Sequence, residues 1–199
     1  MIVLTDIHGC HKTLMALLAK CPKGRQIACA GDLIDRGPDS ASVVRWAMEN
    51  GIWVTMGNHE HMALDWHDGF RYYSTRDWSN NGGEECLDSF DAGKLPDDVL
   101  DWMRDLPVSI NYEDELLISH TGHGHREDMS VYDRVWVRDY PEYDDGLFRV
   151  FGHTPKKEPV ITKDYAMIDT GCAYAKRGYG VLTAFVWPER KIIQQTCID

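Results

Sequence analysis

Aspartate, asparagine and histidine recur in this 199-residue chain at the ends of short apolar runs. Asp6-Ile7-His8 follows Ile2-Val3-Leu4, and Gly31-Asp32-Leu33-Ile34-Asp35-Arg36-Gly37 follows Ile27-Ala28-Cys29-Ala30. Gly57-Asn58-His59-Glu60 follows Trp53-Val54-Thr55-Met56. Further along, His120 follows Leu116-Leu117-Ile118, Gly152-His153 follows Phe148-Arg149-Val150-Phe151, and Arg138 lies between them. Apolar runs of that length, bounded by glycine or polar residues, read as buried strands, and strand ends are where α/β folds gather their sites. Asp6 and His8 are two residues apart, so on an extended strand end both point the same way. Asp32 can serve two ions through its two oxygens, Asn58 offers an amide oxygen, and His120 and His153 add nitrogens. This mixed nitrogen and oxygen set, without sulfur, suits Mn, Fe, Zn, Co or Ni with room for water. It suits Mg or Ca poorly, because those ions prefer oxygen. The chemistry expected is phosphoester hydrolysis at a dinuclear metal centre. Each fragment alone has a structural reading; their conjunction at successive strand ends is what points to a site.

Those strand ends need a framework. Residues 1–60 alternate strand, helix, strand, helix, strand, which predicts a parallel βαβαβ unit. The first helix is expected over His11–Lys20, with Leu14, Leu17 and Leu18 on one face, ending before Pro22-Lys23-Gly24. The second is expected over 40–50, with Val43, Val44 and Ala47 inward and Gly51 at its end. Residues 61–106 read as helices and loops, broken at Asn80-Asn81-Gly82-Gly83 and Gly93-Lys94-Leu95-Pro96, with a helix over 97–105 opened by Pro96 and two acids. Strand character returns at Leu116 and continues through Ala166-Met167-Ile168, 181–187 and 192–197, the last two as an antiparallel pair. The architecture expected is α/β, two mixed sheets between helices, in one domain over 1–199.

Composition excludes several classes. Hydrophobic residues at 43% and charged residues at 27% are ordinary for a soluble globular chain. No apolar stretch is long enough for a membrane span, and the amino terminus enters a strand directly, so neither membrane association nor a signal peptide is expected, and a cytoplasmic location is. A net charge of −11 argues against binding a nucleic acid backbone. It also implies that an anionic substrate needs cations to reverse the local field. Cys10, Cys21, Cys29, Cys86, Cys172 and Cys197 are scattered without a Cys-x-x-Cys pair, so buried, reduced thiols are expected rather than disulfides or structural zinc.

In this order and spacing, Asp-Ile-His-Gly, Gly-Asp-Leu-Ile-Asp-Arg-Gly and Gly-Asn-His-Glu, with His120 and Gly152-His153 beyond, resemble the PPP-type metallophosphoesterases. The likeness is greatest to small bacterial and bacteriophage lambda-like serine/threonine protein phosphatases and covers essentially the whole chain. Shared features extend to Gly9-Cys10, Asn81-Gly82-Gly83, Val135-Trp136 before Arg138, Phe151-Gly152-His153-Thr154-Pro155 and Ile168-Asp169-Thr170-Gly171. One departure is Val137, where the lambda-like pattern has asparagine before the arginine. The resemblance implies the four-layer metallophosphatase (calcineurin-like) sandwich. It implies that Asp6, His8 and Asp32 hold one ion and that Asp32, Asn58, His120 and His153 hold the second. It also implies Mn²⁺ as the first choice of metal, with Fe, Zn, Co or Ni as alternatives.

On that basis a hydroxide shared by the two ions is the expected nucleophile, attacking phosphorus with no covalent phosphoenzyme. His59 is the candidate general acid and Asp35 the group that orients it. Arg36 and Arg138, with Asn58, are the candidates for holding phosphate oxygens, since a planar guanidinium binds them in pairs. His123 and His125 read as a solvated loop, Asp169 as the brace of a turn, and His61 and His67 as helical. Trp66, Phe70, Tyr72, Tyr73 and Trp78 read as core. Asp35 and Glu60 favour a phosphomonoesterase acting on phosphoserine or phosphothreonine in a protein or peptide. The Thr170-Gly171-Cys172 segment resembles the symmetrical dinucleoside tetraphosphatases and keeps that substrate, or other small phosphoesters, as the alternative.

Overall fold

The computed structural model describes residues 1–69, 78–140, 142 and 145–199. Phe70, Tyr72 and Tyr73 lie outside them. In chain order, β1 (Ile2–Leu4), α1 (His11–Lys20), β2 (Ile27–Cys29), α2 (Ser40–Glu49), β3 (Trp53–Val54) and α3 (Asn58–His67) form the expected βαβαβ unit and the helix after it. A π turn (Ser79–Gly83) then runs into α4 (Glu84–Ser89), followed by α5 (Asp97–Arg104), β4 (Ser109–Tyr112), β5 (Leu116–Ser119) and α6 (Val131–Trp136). The remaining elements are β6 (Phe148–Phe151), β7 (Val160–Ile161), β8 (Tyr165–Met167), a 3₁₀ segment (Cys172–Arg177), β9 (Val181–Val186) and β10 (Lys191–Thr196).

Two mixed sheets result, ordered β10-β9-β1-β2-β3 and β4-β5-β6-β8-β7. Period-two alternation divides their side chains between two cores. From the first sheet, Val3, Ala28 and Phe185 face the second sheet, where they meet Ile118, Phe148, Val150 and Ala166. Phe148 stacks between Phe185 and Trp187, with ring centroids 5.6 and 5.3 Å apart. Ile2, Leu4, Cys29, Leu182 and Ala184 face the other way, against Leu14 and Leu17 of α1 and Val43, Val44 and Ala47 of α2. The two sheets are therefore flanked by helices, as the sequence predicts.

Capping fixes where the helices begin. Asp39 accepts from the Ser42 amide ahead of α2, and Ser130 from the Asp133 amide ahead of α6. Asp199 accepts from the Lys12 and Thr13 amides at 3.1 and 2.9 Å, holding the last residue on the first turn of α1. No helix among the described residues is long and apolar enough to cross a membrane.

The topology matters for one reason. β1, β2 and β3 run parallel, as do β5, β6 and β8, and the turns leaving them are stitched together. Asp6 N donates to Gly31 O, His8 N to Asp32 O, Thr55 N to Cys29 O, and Gly152 N to His120 O, at 2.9–3.2 Å. Six strand ends thus open on one edge.

Candidate metal centre and active site

Backbone strain is concentrated at that edge. Of the ten non-glycine residues with positive φ among the described residues, six are Asp6, His8, Asp32, Asp35, Arg36 and His153. Asp and His tolerate this region better than most residues, yet each such position still costs on the order of 1–3 kcal/mol. The surrounding hydrogen bonds hold them there. Glycines clear the remaining space: a Cβ on Gly152 would lie 2.1 Å from Asp6 Oδ2, and one on Gly57 2.3 Å from Asp32 Oδ1.

Three histidines are aimed by the backbone. His8 Nδ1 donates to Ile34 O at 2.8 Å, His120 Nδ1 to Ala30 O at 2.8 Å, and His153 Nε2 to Trp136 O at 3.0 Å. In each neutral ring the other nitrogen is then a lone pair facing inward, the arrangement common to metal-bound histidines. Arg36 Nη1 donates to His8 Nε2 at 2.5 Å, which agrees with a lone pair there. One lone pair cannot serve both, so this hydrogen bond and a cation on His8 exclude each other.

The inward lone pairs crowd together. His120 Nε2 is 3.0 Å from His153 Nδ1, and Asn58 Oδ1 is 2.9 Å from each. With both ring protons committed to carbonyls, no hydrogen remains to place between the two nitrogens, and their mutual repulsion is relieved by a cation. Asp32 Oδ2 sits at the middle, 3.4 Å from His120 Nε2, 3.6 Å from His8 Nε2 and 3.9 Å from His59 Nε2. Asp6 Oδ1 lies 3.9 Å from His8 Nε2. Asp32 is therefore shared by two donor groups, one with His8 and His59 and one with His120 and His153. This donor set fits a pair of divalent ions of the borderline class.

Electrostatics agree. Burial pushes the Asp32 carboxyl well above its usual range, with Asp6 adding to the effect. Burial pushes His8 well below its usual value, with Arg36 next, and takes His153 to about 2. Neutral imidazole is the form that ligates, and a carboxylate this costly to ionise alone is stabilised by cations beside it.

Beside this cluster, His59 Nδ1 meets Asp35 Oδ2, and Trp78 Nε1 donates to both oxygens of Asp35 at 3.1 and 2.9 Å. His59 Nε2 is buried, with no hydrogen-bond partner among the described residues. Arg36 and Arg138 line the same small cavity, of about 40 Å³, with Asp6, Asp32, His153 and Asp169. Arg138 is held by His153 O at 3.0 Å and Thr154 Oγ1 at 3.2 Å. All ten sequence-predicted site residues are brought to this edge.

Other expectations fare unevenly. Asp169 accepts from Gly171 N at 2.8 Å, bracing a turn as expected. Trp78 is buried as expected, but its bond to Asp35 gives it a second task that its spacing, 43 residues away, does not signal. Trp66 is 37% exposed, so the core reading fails for it. The solvated-loop reading is corrected for His123, which is buried 3.0 Å from Asp139 Oδ1. The loop lies tight on β5: a Cβ on Gly124 would be 2.1 Å from Ser119 Cβ. The apparently scattered Cys10, Cys172 and Cys197 meet in one cluster, and all six thiols are free.

Comparison with known proteins follows the same lines. The model of the calcineurin-like phosphoesterase family matches residues 1–182. An asymmetrical bis(5′-nucleosyl)-tetraphosphatase of Bacillus subtilis is 28% identical over 94% of this chain and 90% of its own. A symmetrical bis(5′-nucleosyl)-tetraphosphatase of Hamiltonella defensa is 33% identical over 60% of this chain, which spans 43% of that relative. Serine/threonine-protein phosphatase 1 of Salmonella typhimurium is 46% identical, over only 32% of this chain and 31% of its own. Among solved structures, a candidate diadenosine tetraphosphatase superposes with a TM-score of 0.71 at 21% identity, covering 98% of this chain and 92% of that one.

Proposed function

The chain belongs to the calcineurin-like phosphoesterase family, and from that premise we propose that it hydrolyses dinucleoside polyphosphates of the bis(5′-nucleosyl)-tetraphosphate kind. The observation that carries this reading is the extent of sequence likeness: the match to the Bacillus tetraphosphatase runs through 94% of the chain, whereas the match to the Salmonella protein phosphatase covers 32%. Glu60, a reason in the sequence to prefer phosphoproteins, is fully buried and accepts from the amides of Asp32, Leu33 and Gly57. It braces ligand loops and never meets a substrate, so it selects none. Phosphoserine or phosphothreonine hydrolysis stands second, favoured by the higher identity of the short protein-phosphatase match.

Asp6, His8 and Asp32 would hold one divalent ion, and Asp32, Asn58, His120 and His153 the other. Such ions, when bound, lower the pKa of water and offset charge on phosphoryl oxygens. The chain supplies the rest. Arg36 and Arg138, which both line the cavity, pair with non-bridging oxygens and orient the phosphoryl group. Asn58 Oδ1 fixes the cluster, and its amide nitrogen is a further donor toward phosphate. Asp35, itself held by Trp78, keeps the proton of His59 Nδ1 in place and stabilises an added proton at Nε2. That proton goes to the departing oxygen. A nucleotide phosphate is a weakly basic leaving group and needs it little; a serine alkoxide needs it greatly.

The test compares kcat/KM for diadenosine tetraphosphate and a phosphothreonine peptide, with manganese-loaded protein. The dinucleotide is expected to be the better substrate, and its products separate symmetrical cleavage (two nucleoside diphosphates) from asymmetrical cleavage (a triphosphate and a monophosphate). A larger kcat/KM for the peptide would replace this reading with the phosphoprotein one.

A further inference from the structure

The cavity at the centre, of about 40 Å³, is far too small for a whole dinucleotide. A second space begins where the first ends. Arg36 and Tyr174 line both the small cavity and an open cleft of about 430 Å³ beside it. One wall of the cleft is the π turn with Asn80 and Asn81; the other is the 3₁₀ segment, carrying Tyr174, Lys176 and Arg177. Glycines fix both walls. Gly82, at φ 100°, brings the π turn so near that a Cβ would lie 2.3 Å from Arg36 N. Gly171 and Gly178, at φ 67° and 78°, bound the 3₁₀ segment.

The charge is unlike the rest of the molecule. The chain carries −11 overall, yet among the described residues that line this cleft Arg36, Lys176 and Arg177 stand against one carboxylate, Glu85. Two guanidinium groups lie over the Tyr174 ring, that of Arg36 4.9 Å and that of Arg177 5.2 Å from its centroid. This is a row of cations leading away from the reacting centre along an aromatic ring, with Lys176 and Arg177 exposed at its outer end. A volume of this size is that of an ordinary small-ligand site.

We propose that this cleft holds the part of the substrate beyond the scissile phosphate, a nucleoside with its remaining phosphates. Lys176 and Arg177 bind those phosphates and so set the preference for a polyphosphate over a simple ester. The proposal rests on the tetraphosphatase reading for its choice of occupant. Arg36, shared by both spaces, stands between the phosphoryl group being cleaved and the phosphates that follow it. Glu85 on the rim accepts from a ribose hydroxyl or an amino group of the base and repels a more highly charged chain.

The experiment is competition by ADP against hydrolysis of an aryl phosphate, whose one phosphoryl group enters the inner cavity and which has no further phosphate for Lys176 and Arg177. The native protein is compared with Lys176→Ala/Arg177→Ala. Both residues are exposed, and unchanged aryl phosphate kcat/KM shows that the variant is folded and its centre intact. The inhibition constant for ADP should rise about tenfold or more, equivalent to about 1.4 kcal/mol, while that for inorganic phosphate stays within about twofold. Calorimetric titration of ADP reads the same difference without turnover. An unchanged ADP constant, or native protein that binds ADP no tighter than inorganic phosphate, would overturn the proposal. If ADP binding depends on these residues but diadenosine tetraphosphate is bound and left uncleaved, the cleft assignment holds and the tetraphosphatase reading fails.

Discussion

His59 Nδ1 lies 2.5 Å from Asp35 Oδ2, and the N–H of the buried Trp78 indole is shared between both oxygens of the same carboxylate. The Asp35 carboxyl is thus fixed from two sides and fixes the imidazole in turn, leaving His59 Nε2 toward the cavity. His59→Asn removes the proton donor beside Asp32 and His8, and elemental analysis checks that the metal content is unchanged. Turnover of a phosphoserine peptide should fall about 10²–10⁴-fold, while diadenosine tetraphosphate, with its better leaving group, loses far less. Parallel assays on the two substrates check this. Equal losses on both would mean that His59 acts on binding or structure and does not protonate the leaving oxygen.

Gly152 is not among the glycines with positive φ, so replacing it tests space. An added Cβ would lie 2.1 Å from Asp6 Oδ2 and 2.3 Å from Thr5 Oγ1. In Gly152→Ala the Asp6 carboxylate must move, and the overpacking costs about 1–3 kcal/mol. The expected outcome is a folded protein with a lowered midpoint in urea and weakened affinity for one of two manganese ions. A variant with native metal affinity would show that Asp6 is not held where the structure puts it.

Glu60 accepts three amides from two loops, at 2.8–3.1 Å. Glu60→Ala leaves all three buried without a partner, at about 1–3 kcal/mol each before relaxation. Urea unfolding should show a loss of about 3–5 kcal/mol, and Glu60→Gln, which keeps one acceptor oxygen, should lose less. If Glu60→Ala unfolds like the native chain, those loops are held by something else.

The cysteine cluster gives a prediction in pH. A hydrogen bond from the Cys172 thiol, the largest influence, holds the Cys197 thiol at about 5. Cys197 is half-buried, whereas the other cysteines are buried. A lowered value means that the thiolate, the reactive form, is already present above about pH 5, where an ordinary thiol near 8.5 is still protonated. At about pH 6.5, limiting iodoacetamide should therefore label Cys197 first, as read by peptide mass spectrometry. Labelling that begins only near pH 8 would contradict the hydrogen bond.

Much of this was legible in the sequence because the signals are local. The first helix is found at its expected bounds, His11–Lys20, because its apolar face and its stop at Pro22 lie within one stretch. The metal-type residues stand out for the same reason: each follows its own strand. What was not legible depends on distant contacts or weak patterns. β4 and β7 carry too little alternation to announce themselves, and β7 is an edge strand with both residues exposed. Trp78 reaches Asp35, and Cys10 reaches Cys172 and Cys197, only through the fold. Substrate preference was hidden most of all. The motifs encode the phosphoryl chemistry common to many esters, while Tyr174, Lys176 and Arg177 sit in a turn that no motif marks.

The proposed hydrolysis requires that six side chains from five strand ends hold two cations with Asp32 between them. Elemental analysis of manganese-loaded, gel-filtered protein tests it most directly, with His120→Ala beside the native chain. Two ions per native chain and one or fewer in the variant are expected. A single ion in the native chain, or two ions retained in His120→Ala, would contradict it.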